Sequence, residues 1–340
     1  MSRLAVVLFN LGGPDGPDAV RPFLFNLFND SAIISAPRPL RWLLARLISA
    51  RRAPVARRIY EQIGGRSPLL GLTRDQADAL RTRLAADGEV RVFVAMRYWH
   101  PMADETAAEV KAFDPARIVL LPLYPQFSTT TTGSSLADWR RAATGAGLDA
   151  PTKTVCCYPV QGGLIAAQAK LVRAGLEEAR PAGAPRVLFS AHGLPERIIE
   201  KGDPYRWQIE RTAQAAARAV GIADLDWRVC YQSRVGPLTW IGPSTVDELR
   251  RAGTDRVPVV VVPIAFVSEH SETLVELDIE YKALAEVHGV PAYVRVPAVG
   301  TDEDFIKGLA QAVRTAGESV QPADGEGCPP TFAGCPHCNP

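Results

Sequence analysis

Six short aliphatic, β-branched runs punctuate the chain, and each stops at a polar, aromatic or Pro/Gly-rich end. Leu4–Phe9 leads into Asn10-Leu-Gly-Gly-Pro14, Val90–Met96 into Arg97-Tyr-Trp-His-Pro101, and Arg117–Leu123 into Tyr124-Pro-Gln-Phe127. Val187–Phe189 leads into Ser190-Ala-His-Gly-Leu-Pro195, Trp227–Tyr231 into Gln232-Ser-Arg-Val-Gly-Pro237, and Arg256–Pro263 into Ile264-Ala-Phe-Val-Ser268. Continuous apolar runs, rather than alternating ones, belong to parallel strands buried on both faces. The first three runs have counterparts in the same order among the last three, so the chain reads as two similar α/β halves. Helical periodicity fills the gaps. Thr73–Ala86 carries Ala77, Leu80 and Leu84 on one face, and Leu164–Ala179 and Pro204–Val220 are similar, the last entered through an Asp203 cap. Strands alternating with helices give βαβ units whose right-handed crossovers collect the strand ends on one side of each sheet. The expectation is that Asn10, Arg97, Tyr98, Tyr124, His192, Gln232, Ser233, Glu269, His270 and Glu272 converge on one cleft between facing halves.

Composition changes this picture little. At 340 residues the chain suffices for about two domains. A net charge of +1 gives no general affinity for nucleic acid. The opening apolar run is too short for a signal peptide, and no apolar window is long enough to span a membrane, so a cytoplasmic protein is expected. Pro39–Ile48 stands apart, because its apolar and aromatic residues are interleaved with Arg41 and Arg46 and followed by Arg51 and Arg52. It reads either as an exposed greasy lip that meets a membrane surface peripherally or as a buried amphipathic helix.

Three clusters carry candidate chemistry. His192 sits at a strand end beside a permissive glycine, where an imidazole can act as a base near neutral pH. Glu269, Glu272, Glu276 and Glu280, spaced by three or four, share one helix face and invite a cation. His270 shares that face with Glu272 only if a local π-turn widens the helix. Arg97-Tyr98-Trp99 offers a guanidinium and ring faces to a flat, conjugated, anionic ligand. The cysteines Cys328, Cys335 and Cys338 crowd the tail as a metal pattern one ligand short, which Cys156, Cys157 or His337 could complete. Spacing alone leaves an iron–sulfur cluster and zinc on equal footing. The glycine-rich turns at Gly12-Gly13 and Gly64-Gly65 lack the spacing of a phosphate loop.

Taken together, Asn10-Leu-Gly-Gly-Pro14, Ile63-Gly-Gly-Arg-Ser-Pro68, Met96-Arg-Tyr-Trp-His-Pro101, Tyr124-Pro-Gln-Phe-Ser128, Phe189-Ser-Ala-His-Gly-Leu-Pro195, Tyr231-Gln-Ser-Arg-Val-Gly-Pro237 and Pro263–Tyr281 closely resemble the ferrochelatases, over nearly the whole chain and in order. The resemblance implies two Rossmann-like, chelatase-type halves with a porphyrin cleft between them. The domains would be residues 1–126 with 302–320, residues 127–301, and a cysteine-rich tail at 321–340. It implies a lyase of haem biosynthesis that inserts ferrous iron, as substrate, into protoporphyrin IX. His192 and Glu272 would be catalytic and would meet the iron, facing each other across a slot wide enough for a tetrapyrrole. His270, Glu276 and Glu280 would line a path for cations or protons. Ile34, Arg51, Arg52, Tyr60, Ser67, Arg97 and Tyr98 would bind the porphyrin. The tail resembles that of relatives carrying a [2Fe–2S] centre, with Cys157 or Cys156 joining Cys328, Cys335 and Cys338, and on this ground the cluster is favoured over zinc. A monomer or homodimer is expected, in the cytoplasm or peripheral on the inner face of the membrane. Competing readings are a chelatase for another porphyrin or metal, such as coproporphyrin or cobalt, and a non-catalytic porphyrin or haem carrier.

Overall fold

A computed structural model of the chain describes residues 3–234, 236, 238–316, 329 and 331–333. These fall into two units, one gathering 3–124, 128–156 and 310–316, the other gathering 125–127, 157–309 and the described tail residues.

The first unit is built on β1 (Leu4–Asn10), α1 (Val20–Phe28), α2 (Arg38–Glu61), α3 (Leu69–Leu84), β2 (Val90–Met96), α4 (Ala103–Phe113), β3 (Arg117–Pro122), α5 (Ser134–Gly145) and β4 (Thr152–Thr154). Its sheet is parallel, in the order β2-β1-β3-β4, with Leu4 opposite Val90 on one side and Arg117 on the other. Every residue of β1 is buried, as a central strand covered on both faces requires. One face packs Val7, Phe9, Phe113 and Trp139, with the Phe9 and Trp139 rings edge to face at 5.8 Å.

The second unit continues with α6 (Gly162–Ala179), β5 (Arg186–His192), α7 (Glu196–Glu200), α8 (Tyr205–Val220), β6 (Trp227–Gln232), α9 (Thr245–Asp255), β7 (Val259–Pro263), a π-helix (Glu272–Tyr281), α10 (Lys282–Val287), β8 (Tyr293–Arg295) and the first half of α11 (Glu303–Thr315), whose residues from Ala310 on belong to the first unit. Its sheet is again parallel, in the order β6-β5-β7-β8. The two sheets therefore share one topology, which is the internal repeat seen in the hydrophobic pattern. Helix α6 lies so close to its sheet that a Cβ at Gly175 would stand 2.6 Å from a Val296 methyl and 2.8 Å from a Val260 methyl.

Two features differ from the sequence reading. Strands β4 and β8 have three residues each and no apolar run to announce them. Residues 128–156, expected with the second domain, belong to the first unit, because β4 completes the first sheet by pairing with β3.

Candidate active site

Strand β5 delivers His192 at its end, and the chain then turns at Gly193, whose N–H donates to the Gln232 carbonyl at 2.8 Å. A Cβ at Gly193 would come within 2.9 Å of that same oxygen, so glycine is required for the strand ends to stay this close. Strand β7 pairs with β5, and the chain beyond β7 turns into the π-helix that begins at Glu272. Because β5 and β7 are neighbours, the two ends bring His192 Nε2 within 3.5 Å of Glu272 Oε1. This corrects the expected arrangement. The two groups do not oppose one another across a slot; they sit side by side, too close for a ring to pass between them.

Hydrogen bonds fix the tautomers. His192 Nδ1 lies 2.6 Å from the Gly193 carbonyl, which can only accept, so Nδ1 carries a proton and Nε2 is the atom presented to Glu272. The Glu272 N–H donates to His270 Nδ1 at 3.2 Å, so a neutral His270 carries its proton on Nε2, 3.8 Å from Glu272 Oε2. Burial alone would pull the His192 imidazole down, but the adjacent Glu272 carboxylate outweighs it and holds the pKa above the usual range. Burial pushes Glu272 the other way, and the His192 imidazolium overcomes it to hold the carboxyl below its usual range. Burial dominates at His270 and lowers it, with Glu272 and Glu269 only partly compensating. The directions agree: Glu272 favours the charged form of His192, His192 favours the ionised form of Glu272, and burial disfavours the charged form of His270. The His192 and Glu272 side chains keep 36% and 30% of their surface open, so water screens the pair and reagents can reach it.

The surroundings are polar and ordered. Glu276 accepts from the Ser233 N–H and the Tyr281 hydroxyl, both at 2.8 Å, from Gln232 Nε2 at 3.2 Å and from the Ser233 hydroxyl. Ser233 adopts φ +60°, a left-handed conformation that costs a non-glycine residue about 1–3 kcal/mol. Arg295 of β8 bridges Glu269 at 2.6 Å and Asp278, on either side of Glu272, while the Tyr293 hydroxyl donates to the Leu277 carbonyl at 2.7 Å. The edge strand therefore grips the π-helix from outside. Glu280 is largely exposed, and partial desolvation, then the charge of Glu276, raises its carboxyl pKa above the usual value.

In the first unit, Arg97 and Tyr98 follow β2 as expected but are engaged differently. The Arg97 guanidinium meets Asp30 at 2.8 Å, Ser134 Oγ at 2.6 Å and Asp138 at 3.5 Å, so its charge is matched by two carboxylates rather than held open for an anionic ring. Tyr98 is buried and donates to Asp30 at 2.8 Å, leaving no ring face for stacking; burial, then Asp30, drives its hydroxyl pKa up. A cavity of about 390 Å³ opens here, lined in part by Asp30, Arg97, Ser134 and Asp138. Sequence reading missed Asp30, Ser134 and Asp138; the Asn29-Asp30-Ser31 turn signal after α1 was the available clue. Ser67 and Tyr60 gather over Gly13, where a Cβ would stand 2.4 Å from Ser67 Oγ and 4.0 Å from Tyr60 Oη. Arg51 and Arg52 are exposed on α2, with Arg52 over the Phe28 ring, and Ile34 is half-buried just before that helix. Leu40, Trp42, Leu43 and Leu47 are also exposed on α2, so Pro39–Ile48 is a surface lip rather than a buried face.

Cys156 and Cys157 are buried, and Cys157 Sγ accepts from Gln208 Nε2 at 3.4 Å. Cys328, Cys335 and Cys338 lie outside the described residues, as does His337. Among the described residues no group of three or more His, Cys, Asp or Glu side chains is poised to hold a metal ion.

Replacing Glu272 removes the anion that holds the His192 proton. In Glu272→Gln the imidazole should therefore titrate at lower pH than in the unchanged protein, as followed by ring-nitrogen NMR. An unaltered titration would show that the pair does not interact.

The family model described as Ferrochelatase matches residues 3–316. Curated ferrochelatases are similar over nearly their full length. That of Caulobacter vibrioides is 56% identical over 341 residues, covering 98% of this chain and 97% of the relative. That of Phenylobacterium zucineum is 58% identical over 313 residues, covering 91% and 90%. That of Pelagibacter ubique is 48% identical over 345 residues, covering 99% of each. Among solved structures, SirB from Bacillus subtilis with Fe3+ superposes with a TM-score of 0.54 at 11% identity, covering 94% of this chain and 96% of SirB. The sirohydrochlorin chelatase SirB from Bacillus subtilis subspecies spizizenii, in complex with cobalt, gives a TM-score of 0.54 at 10% identity, covering 96% and 99%. At such identity the likeness speaks for the fold alone, and the sequence relatives carry the family: this chain is a member of the ferrochelatase family.

Proposed function

We propose that this chain inserts ferrous iron into protoporphyrin IX to form protohaem, with His192 and Glu272 as the reacting groups. The adjacent imidazole and carboxylate, 3.5 Å apart at two neighbouring strand ends, carry the reading. Metallation removes two pyrrole protons and delivers Fe²⁺ to a ring that is flat at rest. A site that grips the ring and puckers it exposes the nitrogen lone pairs, using binding energy to approach the reactive geometry. The basic atom is His192 Nε2, because Nδ1 is committed to the Gly193 carbonyl. Glu272 supplies an oxygen donor suited to Fe²⁺, and the single free lone pair of a neutral His192, on Nε2, serves either the iron or a pyrrole proton, one at a time. A cation arriving at Glu272 competes with the imidazolium for the carboxylate. That lets the partly exposed His192 pass its Nε2 proton to solvent, after which Nε2 takes one pyrrole proton, returns it to solvent and takes the second, so that both protons leave as Fe²⁺ enters.

On the first unit, Arg51 and Arg52 offer exposed guanidinium groups for carboxylates of the porphyrin, and the Tyr60 and Ser67 hydroxyls offer neutral donors. Ile34 provides an apolar contact. Arg97 and Tyr98 act through the Asp30 network that shapes their cavity. An anaerobic assay with Fe²⁺ should convert the protoporphyrin IX spectrum to that of the haem. His192→Ala should cut conversion to a small residual rate, a loss of about 10²–10⁴-fold for a general base, while porphyrin binding persists. Turnover near the unchanged protein's rate in that variant would refute the assignment.

A [2Fe–2S] cluster belongs to the same proposal. Phe332, which lies between Cys328 and Cys335 in sequence, packs on Trp207 of α8 at 5.8 Å, and the next residue, Gln208, donates to Cys157 Sγ. This neighbourhood fits Cys157 better than Cys156 as the ligand joining Cys328, Cys335 and Cys338. Held by these thiolates, such a cluster would supply one-electron redox capacity. Cys157→Ser should remove the cluster's visible absorbance and its reduced-state electron paramagnetic resonance, and Cys156→Ser should keep both. The reverse pattern would reassign the ligand.

Exposed Leu40, Trp42, Leu43 and Leu47, with Arg46, Arg51 and Arg52 on the same helix, suit peripheral contact with the inner face of a membrane. No described helix is long and apolar enough to cross one. The protein should co-sediment with liposomes, and Trp42→Asp with Leu47→Asp should release it. Absence of sedimentation by the unchanged protein would remove this contact.

A further inference from the structure

Glu276 looks at first like the next stepping stone after Glu272 on an acidic helix face. Its contacts say otherwise. A carboxylate has about four lone-pair positions, two on each oxygen. Here Oε1 accepts from the Ser233 N–H and the Tyr281 hydroxyl, both at 2.8 Å, and Oε2 accepts from Gln232 Nε2 at 3.2 Å and from the Ser233 hydroxyl. Iron or a proton could bind Glu276 only by displacing one of these donors. We infer that Glu276 is a positioning residue, pinning the end of β6 to the π-helix and thereby fixing Glu272 beside His192, rather than a carrier of iron or protons.

Gln232 transmits this hold. Its backbone carbonyl accepts from the N–H of Gly193, next to His192, at 2.8 Å. Its side-chain Nε2 donates to the backbone carbonyl of Glu272 at 3.1 Å as well as to Glu276. The amide cannot flip without loss, because a flip would turn Oε1 toward the Glu272 carbonyl and the Glu276 carboxylate, which only accept; as placed, Oε1 accepts from the Ser190 hydroxyl at 2.8 Å. One buried residue thus touches both segments that carry the reacting pair, and Glu276 holds that residue's side chain in register. Ser233 completes the clamp. Its left-handed backbone, φ +60°, aims its N–H at one carboxylate oxygen while its hydroxyl reaches the other. A serine takes up that conformation when the bonds it gains there hold it in place.

The inference rests on the proposed iron insertion at His192 and Glu272, and the test separates the two. Ser233→Ala, Tyr281→Phe and Glu276→Gln are compared by anaerobic iron insertion, with the His192 ring resonances recorded for each and folding checked by circular dichroism. Ser233→Ala and Tyr281→Phe each remove one donor and leave the carboxylate itself in place. A positioning role predicts that both lower kcat by about tenfold, the scale of one hydrogen bond to a charged group. It also predicts little change in the KM for Fe²⁺, a shift in the His192 resonances, and a larger loss of kcat in Glu276→Gln. A carrier role predicts that Ser233→Ala and Tyr281→Phe keep full kcat and unshifted His192 resonances while Glu276→Gln alone fails. That outcome overturns the inference and leaves the proposed reaction standing. An inactive unchanged protein would instead refute the reaction itself.

Discussion

The approach of His192 to Glu272 depends on strand order. Strands β5 and β7 are hydrogen-bonded neighbours in a parallel sheet, so whatever follows their C-terminal ends must meet. The Gly193 turn lets the chain stay against the end of β6, and the segment that follows β7 sets Glu272, the first residue of the π-helix, beside the end of β5. An isolated imidazole here would be neutral and an isolated carboxyl would be drawn toward its protonated form by burial. Together they hold a proton between them in a setting still open to solvent. A site that must release protons and accept a divalent cation gains from such a pair, since one event favours the other.

The scaffold around the pair is rigid in specific directions. Arg295 grips Glu269 and Asp278 from the sheet edge, Tyr293 holds the Leu277 carbonyl, and Glu276 ties the π-helix to β6. These groups surround Glu272 without occupying its side chain. The first unit has a parallel design, in which the buried carboxylate of Asp30 gathers Arg97, Tyr98 and Ser134 at the rim of a cavity. Losing Arg97 there would leave the buried Asp30 carboxylate with only neutral donors, at a cost of about 3–5 kcal/mol for a broken buried pair.

Much of the fold was legible because long parallel strands buried on both faces leave unbroken apolar runs, as Leu4–Asn10 and Val259–Pro263 do. Strands β4 and β8 were invisible for the complementary reason: Thr152-Lys153-Thr154 and Tyr293-Val294-Arg295 are edge segments held by backbone pairing with one neighbour. The assignment of residues 128–156 followed from missing β4. The candidates His192 and Glu272 were legible by type and by place at or beyond strand ends, whereas the π-turn expected to join His270 and Glu272 on one face lies elsewhere: the π-helix begins at Glu272, and His270, just before it, meets the Glu272 N–H directly. The adjacency of His192 and Glu272 was not legible, because strand order within a sheet is not written in local periodicity. Asp30 escaped notice because a single aspartate in a turn has no pattern, and its role appears only when Arg97, 67 residues away, folds back onto it.

The central claim is that His192 and Glu272 act as one unit in metallation. A double-mutant cycle on His192→Ala and Glu272→Ala, read as the single-turnover rate of anaerobic iron insertion into protoporphyrin IX, tests it most directly. The account predicts strong coupling, with the double variant no slower than the slower single variant. Losses that simply multiply would mean the two groups work independently and would contradict it.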